Sequence, residues 1–135
     1  MSMFCQITGL GVSVPENTVS NFDLEKIMDT SDEWISTRTG IKNRRILRDD
    51  ENISEYACVA ARKAIEEAQI PLSKITHLLV ATCSPETLSP SVSCIIAQKL
   101  GLSEYSGLQL ISNSNPSLVC FDFNASFFGF VFCLI

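Results

Sequence analysis

The sequence predicts an α/β fold: strand–helix repeats around a mainly parallel sheet, present only in part. Three observations predict it. Ile75–Thr82 (Ile-Thr-His-Leu-Leu-Val-Ala-Thr) is a short apolar run of the kind that forms strands covered on both faces. The stretch before it, about 53–69, carries Ile53, Ala57, Ala60, Ala61, Ala64 and Ala68 at three- and four-residue steps, the spacing of one helix face. The stretch after it opens on Ser89 and Pro90 and closes on Gly101, which are helix start and stop signals. Helices alternating with strands in this way give parallel sheets with crossover connections.

The elements follow in chain order. Residues 4–9 alternate like a short strand and run into the turn Gly9-Leu-Gly11. Pro15-Glu-Asn-Thr is a second turn. Ser20 or Asn21 can cap a short helix whose Leu24, Ile27 and Met28 share a face. Ser31, followed by Asp32 and Glu33, starts another, with acids at the positive end of the helix dipole and Gly40 suited to its end. Residues 42–51 make a polar link, first basic and then acidic. The small residues of the 53–69 helix would let a neighbour approach closely. Beyond the 75–82 strand and the helix to Leu100, Leu118–Phe123 is a further strand candidate and Phe128 onward a helix candidate.

Two features do not fit an ordinary domain. Residues 102–118 form a long Ser/Asn-rich connection where such links usually take about 2–6 residues. The sequence also ends within the apolar run Gly129-Phe-Val-Phe-Cys-Leu-Ile135. The expectation is a partial domain over residues 1–135, with an insertion-like loop at about 102–118.

Composition sets the outer limits. A chain of 135 residues, 46% hydrophobic and 19% charged, has enough apolar surface to exclude intrinsic disorder. Ten basic against fifteen acidic residues give a net charge of -5, which argues against a general grip on nucleic acid. All the Lys and Arg lie within residues 1–101, whereas the remainder holds six of the eight Phe. Of the six cysteines, Cys58 and Cys94 fall in helical patterns and Cys120 and Cys133 in apolar runs, so they read as buried thiols rather than a disulfide framework. With no basic stretch and apolar block at the start, a reduced, cytoplasmic protein is expected. The Leu118–Ile135 stretch reads as buried core before it reads as a membrane anchor: Asp122 deep in lipid would cost up to ~3 kcal/mol. The part after it would reach only about 20 Å as a helix, against a hydrocarbon core of about 30 Å.

Three segments together resemble the N-terminal half of β-ketoacyl-acyl carrier protein synthase III, the condensing enzyme that starts fatty-acid synthesis. They are Asp29-Thr-Ser-Asp-Glu-Trp-Ile-Ser-Thr-Arg-Thr-Gly-Ile41, Leu79-Val-Ala-Thr82 leading to Pro90-Ser91 and Cys94, and Asp122-Phe-Asn-Ala-Ser-Phe-Phe-Gly-Phe130. The resemblance implies a thiolase-like layered fold of two α/β halves, of which this chain supplies the first. It implies an acyltransferase that joins an acyl-coenzyme A to malonyl-acyl carrier protein, with coenzyme A thioester as substrate and no cofactor or metal. By the same resemblance Trp34 stacks on the adenine of coenzyme A, Arg38 lies near its phosphates and Thr30 alongside.

The family's third motif is Asp-x-x-Ala-Ala-Cys-Ser-Gly-Phe, with the nucleophilic Cys five residues after the Asp. Here that position is Phe127, which has no nucleophilic atom. Ser126 stands one place early, and Cys120 and Cys133 stand elsewhere. The family's catalytic His and Asn come from its second half, and the only histidine here, His77, sits mid-strand. Ser89 departs from a Phe that the family often places before Pro-Ser. The expectation is a chain that is catalytically incompetent alone. The alternative is a binding or assembly module that holds coenzyme A, or pairs with a second copy or a full-length synthase subunit through its Phe-rich end. For Trp34 the structural alternative is a helix-face anchor, for Arg38 an ion pair with Asp32 or Glu33. The cluster Arg44, Arg45 and Arg48 reads as a solvated loop before it reads as a phosphate or carrier-protein contact.

Overall fold

The computed structural model describes residues 7–82, 84–104, 106–111 and 129–134. They fall into two compact units: Val14–Glu51, and the described parts of Met1–Ser13 with Asn52–Ile135.

The larger unit is built on β3 (Ile75–Thr82), the strand expected there with the same bounds. It is central in a parallel three-stranded sheet, flanked by β4 (Ser106–Ile111) and β5 (Gly129–Leu134). Leu78, Val80 and Thr82 are buried on one face, while His77, Leu79 and Ala81 on the other are only half-buried. From His77 onward, then, the strand is fully covered on one face and not on both. Helix α3 (Ile53–Ala68) packs on α4 (Val92–Leu100) and β5, and α4 packs on β3 and β4. Ile53, Ala57, Cys58 and Ala61 of α3 meet Val92, Ile96, Ala97 and Leu100 of α4 in the core. The parallel α/β architecture is the one expected.

The other side of α3 explains its small residues. Residues 9–11 lie so close to it that a Cβ at Gly9 would stand 2.9 Å from the Ala68 nitrogen, and one at Gly11 2.7 Å from the Ala64 nitrogen. The Leu10 N–H donates to Glu67 Oε2 at 2.6 Å and Lys63 Nζ donates to the Val12 carbonyl at 3.0 Å. This segment is held by a helix, and residues 7–9 form no strand; residues 4–6 lie outside the described residues.

Three further expectations are corrected. Helix α4 starts at Val92 with Ser91 as its cap, two residues beyond Ser89, because the Ser91 hydroxyl is the one that accepts from the Cys94 N–H, at 3.3 Å. The Ser/Asn-rich connection carries β4, whose Leu108-Gln-Leu110 alternation is masked in the sequence by the Ser and Asn around it. The helix expected from Phe128 onward is instead β5, paired in parallel with β3 from Ile75↔Gly129 to Ala81↔Leu134. Phe130, Val131 and Phe132 are strong strand formers, and the edge of β3 supplies their backbone partners. The strand candidate Leu118–Phe123 lies outside the described residues. No helix among the described residues is long and apolar enough to cross a membrane.

The smaller unit comprises β1 (Thr18–Ser20), α1 (Asn21–Glu25), α2 (Asp32–Thr39) and β2 (Asn43–Arg45), with β1 and β2 antiparallel. Helix α1 is shorter than its apolar spacing suggests, and Ile27 and Met28 are exposed in the turn that follows. Its start is a capping box of Ser20 and Asp23. The hydrogen bond from Lys26, at 2.8 Å, and those from Ser20 hold the Asp23 carboxyl well below the usual carboxylate range. A depressed folded pKa stabilises above the unfolded value of 3.8, and that contribution is lost only as pH falls through the lower folded one. The Asp23 carboxyl carbon, followed by NMR, is expected to report a carboxylate still at about pH 3, where a free Asp is largely protonated. A midpoint at or above 3.8 would contradict this capping geometry.

Candidate functional site

Helix α2 carries Trp34 and Arg38, two of the three residues singled out for ligand contact. Ser31, with extended backbone at φ -140° and ψ 154°, accepts from the Trp34 N–H at 3.1 Å. Glu25 Oε1 accepts from the Asp32 N–H at 2.6 Å, so two side chains satisfy donors of the first turn. Gly40 closes the helix in the left-handed region at φ 72°, and its N–H donates to the Ser36 carbonyl at 2.9 Å. No residue of α2 is buried.

Trp34 is 53% exposed, and the Arg38 guanidinium carbon sits 4.7 Å from the centre of its ring. The two are one helical turn apart, which lets the cation lie on the π face. Arg38 thus stacks on Trp34, while the Asp32 Oδ1 expected as its partner accepts from Asn21 and Ser36. An exposed aromatic ring with a guanidinium beside it offers a stacking platform and a charge-assisted donor together. Thr30, half-buried, stands one residue before the cap.

The residue that sequence reasoning missed is Asn21. The sequence offers it only as an alternative cap to Ser20, yet its side chain is fully buried and bonded to both ends of the α2 segment. A signal was available: Ser20 and Asp23 already complete a capping box, which releases Asn21 to turn inward.

The basic cluster is divided among structural tasks. Arg44 donates to the Val19 carbonyl at 3.3 Å and to Asn21 Oδ1. Arg45 donates to the Pro15 and Glu16 carbonyls at 3.2 and 2.8 Å, while at Arg48 it is the backbone N–H, not the guanidinium, that donates to Glu51 Oε2, at 2.8 Å. His77 Nδ1 lies 3.0 Å from Thr76 Oγ1. Burial pushes the Cys58 thiol up, away from reactive thiolate, whereas Cys94 is exposed in the first turn of α4 rather than buried. Phe127, Ser126 and Cys120 lie outside the described residues, and Cys133 belongs to β5. Among the described residues no cluster of His, Cys, Asp and Glu could hold a metal ion.

No family model matches the chain. It is 45% identical, over 96% of its length, to "Beta-ketoacyl-[acyl-carrier-protein] synthase III" of Clostridium acetobutylicum, and covers 35% of that protein. It is 39% identical to the protein of the same name from Nitratidesulfovibrio vulgaris, of which it covers 36%. Among solved structures it is similar to 3-oxoacyl-[acyl-carrier-protein] synthase III of Aquifex aeolicus, at 42% identity and a TM-score of 0.70, over 78% of this chain and 34% of that one. The priming β-ketosynthase of the R1128 polyketide pathway gives 34% identity and a TM-score of 0.70, over 79% of this chain and 32% of that one. The chain thus spans about a third of the length of the relatives it matches.

Proposed function

We propose that this chain, similar in sequence and thiolase-like α/β fold to about a third of β-ketoacyl-[acyl-carrier-protein] synthase III, is a coenzyme A-holding arm of a condensing enzyme that lacks the covalent step. The observation that carries the reading is the Trp34–Arg38 pair on the exposed face of α2, within the family-like string Asp29–Ile41. With Arg38 against one side of the indole, the exposed remainder of the ring receives the adenine. The guanidinium at its edge meets the phosphates of the same molecule, and Thr30 lines the approach. The thioester end of such a ligand needs a nucleophile and an oriented base, and at position 127 a phenylalanine offers neither lone pair nor proton. In this reading acyl-coenzyme A is the ligand. Malonyl-acyl carrier protein, the co-substrate of the whole enzyme, finds no reaction on this chain.

Incubated with acetyl-coenzyme A and malonyl-acyl carrier protein, the purified chain is expected to release no carbon dioxide and form no acetoacetyl product. Calorimetric titration with coenzyme A is expected to show binding that Trp34→Ala weakens about tenfold, the range of a lost stacking contact. Turnover by the chain would overturn the catalytic half of the proposal. Coenzyme A affinity unchanged in Trp34→Ala would overturn the binding half.

A further inference from the structure

We propose that Asn21 is the positioning residue of the α2 arm: its buried carboxamide grips the Asp32–Ser36 face of the helix and so sets the direction in which Trp34 and Arg38 project. The functional consequence rests on the coenzyme A reading; the positioning itself does not depend on any ligand.

Helix α2 lacks what ordinarily docks a helix. It has eight residues, none buried, and isolated helices shorter than about 12–15 residues are marginal in water. What holds it is polar. Asn21 has no exposed surface, and the two hydrogens of its Nδ2 go to Asp32 Oδ1 at 2.7 Å and the Ile41 carbonyl at 2.8 Å, with Ser36 Oγ at 3.3 Å sharing one of them. One amide thereby touches the first turn of α2, its middle and the residue just past its Gly40 cap. Asn21 Oδ1 accepts from Arg44, whose other nitrogen is anchored on the Val19 carbonyl in β1. The Asn21 N–H also donates to the Lys42 carbonyl at 3.2 Å. Ser36 Oγ donates to Asp32 Oδ1 at 3.2 Å, so the gripped face is internally tied as well.

Helix geometry turns this grip into an orientation. Trp34 and Arg38 each follow a gripped residue by two positions, a rotation of about 200° around the axis. Fixing Asp32 and Ser36 inward therefore fixes Trp34 and Arg38 outward, one turn apart, where the guanidinium meets the ring. Without the amide, the Asp32 carboxylate and Arg44 lose a shared partner in a part-buried site, which is more costly than the loss of a solvated hydrogen bond.

Trp34 is the only tryptophan of the chain, so its fluorescence reports on α2 alone. In Asn21→Ser we expect lower Trp34 anisotropy and about twofold greater acrylamide quenching, with hydrogen exchange in β3 unchanged. Asn21→Asp, which sets two carboxylates together, is expected to be worse. Adding Asp32→Asn restores a donor–acceptor pair with position 32 but leaves a carboxylate oxygen facing the Ile41 carbonyl, so it is expected to recover part of the Trp34 signal, a rescue that general destabilisation would not give. Coenzyme A affinity is expected to fall about tenfold in Asn21→Ser, and by clearly less when Asn21→Ser is made in a Trp34→Ala background, where Arg38 alone remains to be misdirected. Unchanged Trp34 anisotropy in Asn21→Ser, or no recovery in the double exchange, overturns the proposal. If the unmutated chain does not bind coenzyme A, the ligand reading fails, and the fluorescence results still decide the positioning claim.

Discussion

Leu78→Ala is expected to lower the unfolding free energy by about 2–5 kcal/mol, the range for truncating a fully enclosed aliphatic side chain. Leu78 has no exposed surface and lies at the middle of the central strand, opposite Gly107 on one side and Val131 on the other. Neighbours held by two parallel ladders cannot easily collapse into the space left behind. Leu79→Ala, on the half-buried face of the same strand, provides the comparison and is expected to cost less. Urea unfolding of both variants measures the difference. Equal losses would mean that the two faces of β3 are equally enclosed, contrary to the structure.

Gly11→Val is the second large effect, expected at about 1–3 kcal/mol through overpacking. A Cβ at Gly11 overlaps the Ala60 carbonyl oxygen and comes within 2.9 Å of the Ala60 carbonyl carbon. Those atoms are helix backbone, which cannot swing aside as a side chain does. The segment must lift instead, breaking the bonds from Leu10 N–H to Glu67 and from Lys63 to Val12. Loss of hydrogen-exchange protection at the Leu10 amide is the direct measurement. Retained protection, with an unchanged melting temperature, would show that the close approach is not rigid.

Much of this fold was legible in the sequence because its signals are local. The apolar run Ile75–Thr82, the three- and four-residue steps of α3 and the glycines after α2 and α4 each specify an element without outside help. The alanine stripe even announced a close neighbour, although not that the neighbour would be the Gly9–Gly11 backbone. Errors came where partners decide. The run from Gly129 fits a helix or a strand by composition, and pairing with β3 selects the strand. Residues 7–9 alternate as a strand should, yet they lie along α3. The string 29–41 singles out Trp34 and Arg38, and the structure leaves both exposed and stacked. Asn21 was not, since a buried amide is defined by acceptors 11, 15 and 20 residues further along.

Helix α2 owes its place to three inward polar contacts and buries none of its own residues. Selection for a folded chain therefore falls on Asn21, Asp32, Ser36 and Arg44, and scarcely on the side chains that face outward. Glu33, Trp34, Thr37 and Arg38 can be exchanged with little loss of stability, since surface changes away from caps and packed contacts usually stay within about 0.5 kcal/mol. The outward face of α2 can thus change in composition while its scaffold stands still. Trp34 belongs to that outward face and not to what keeps the helix in place.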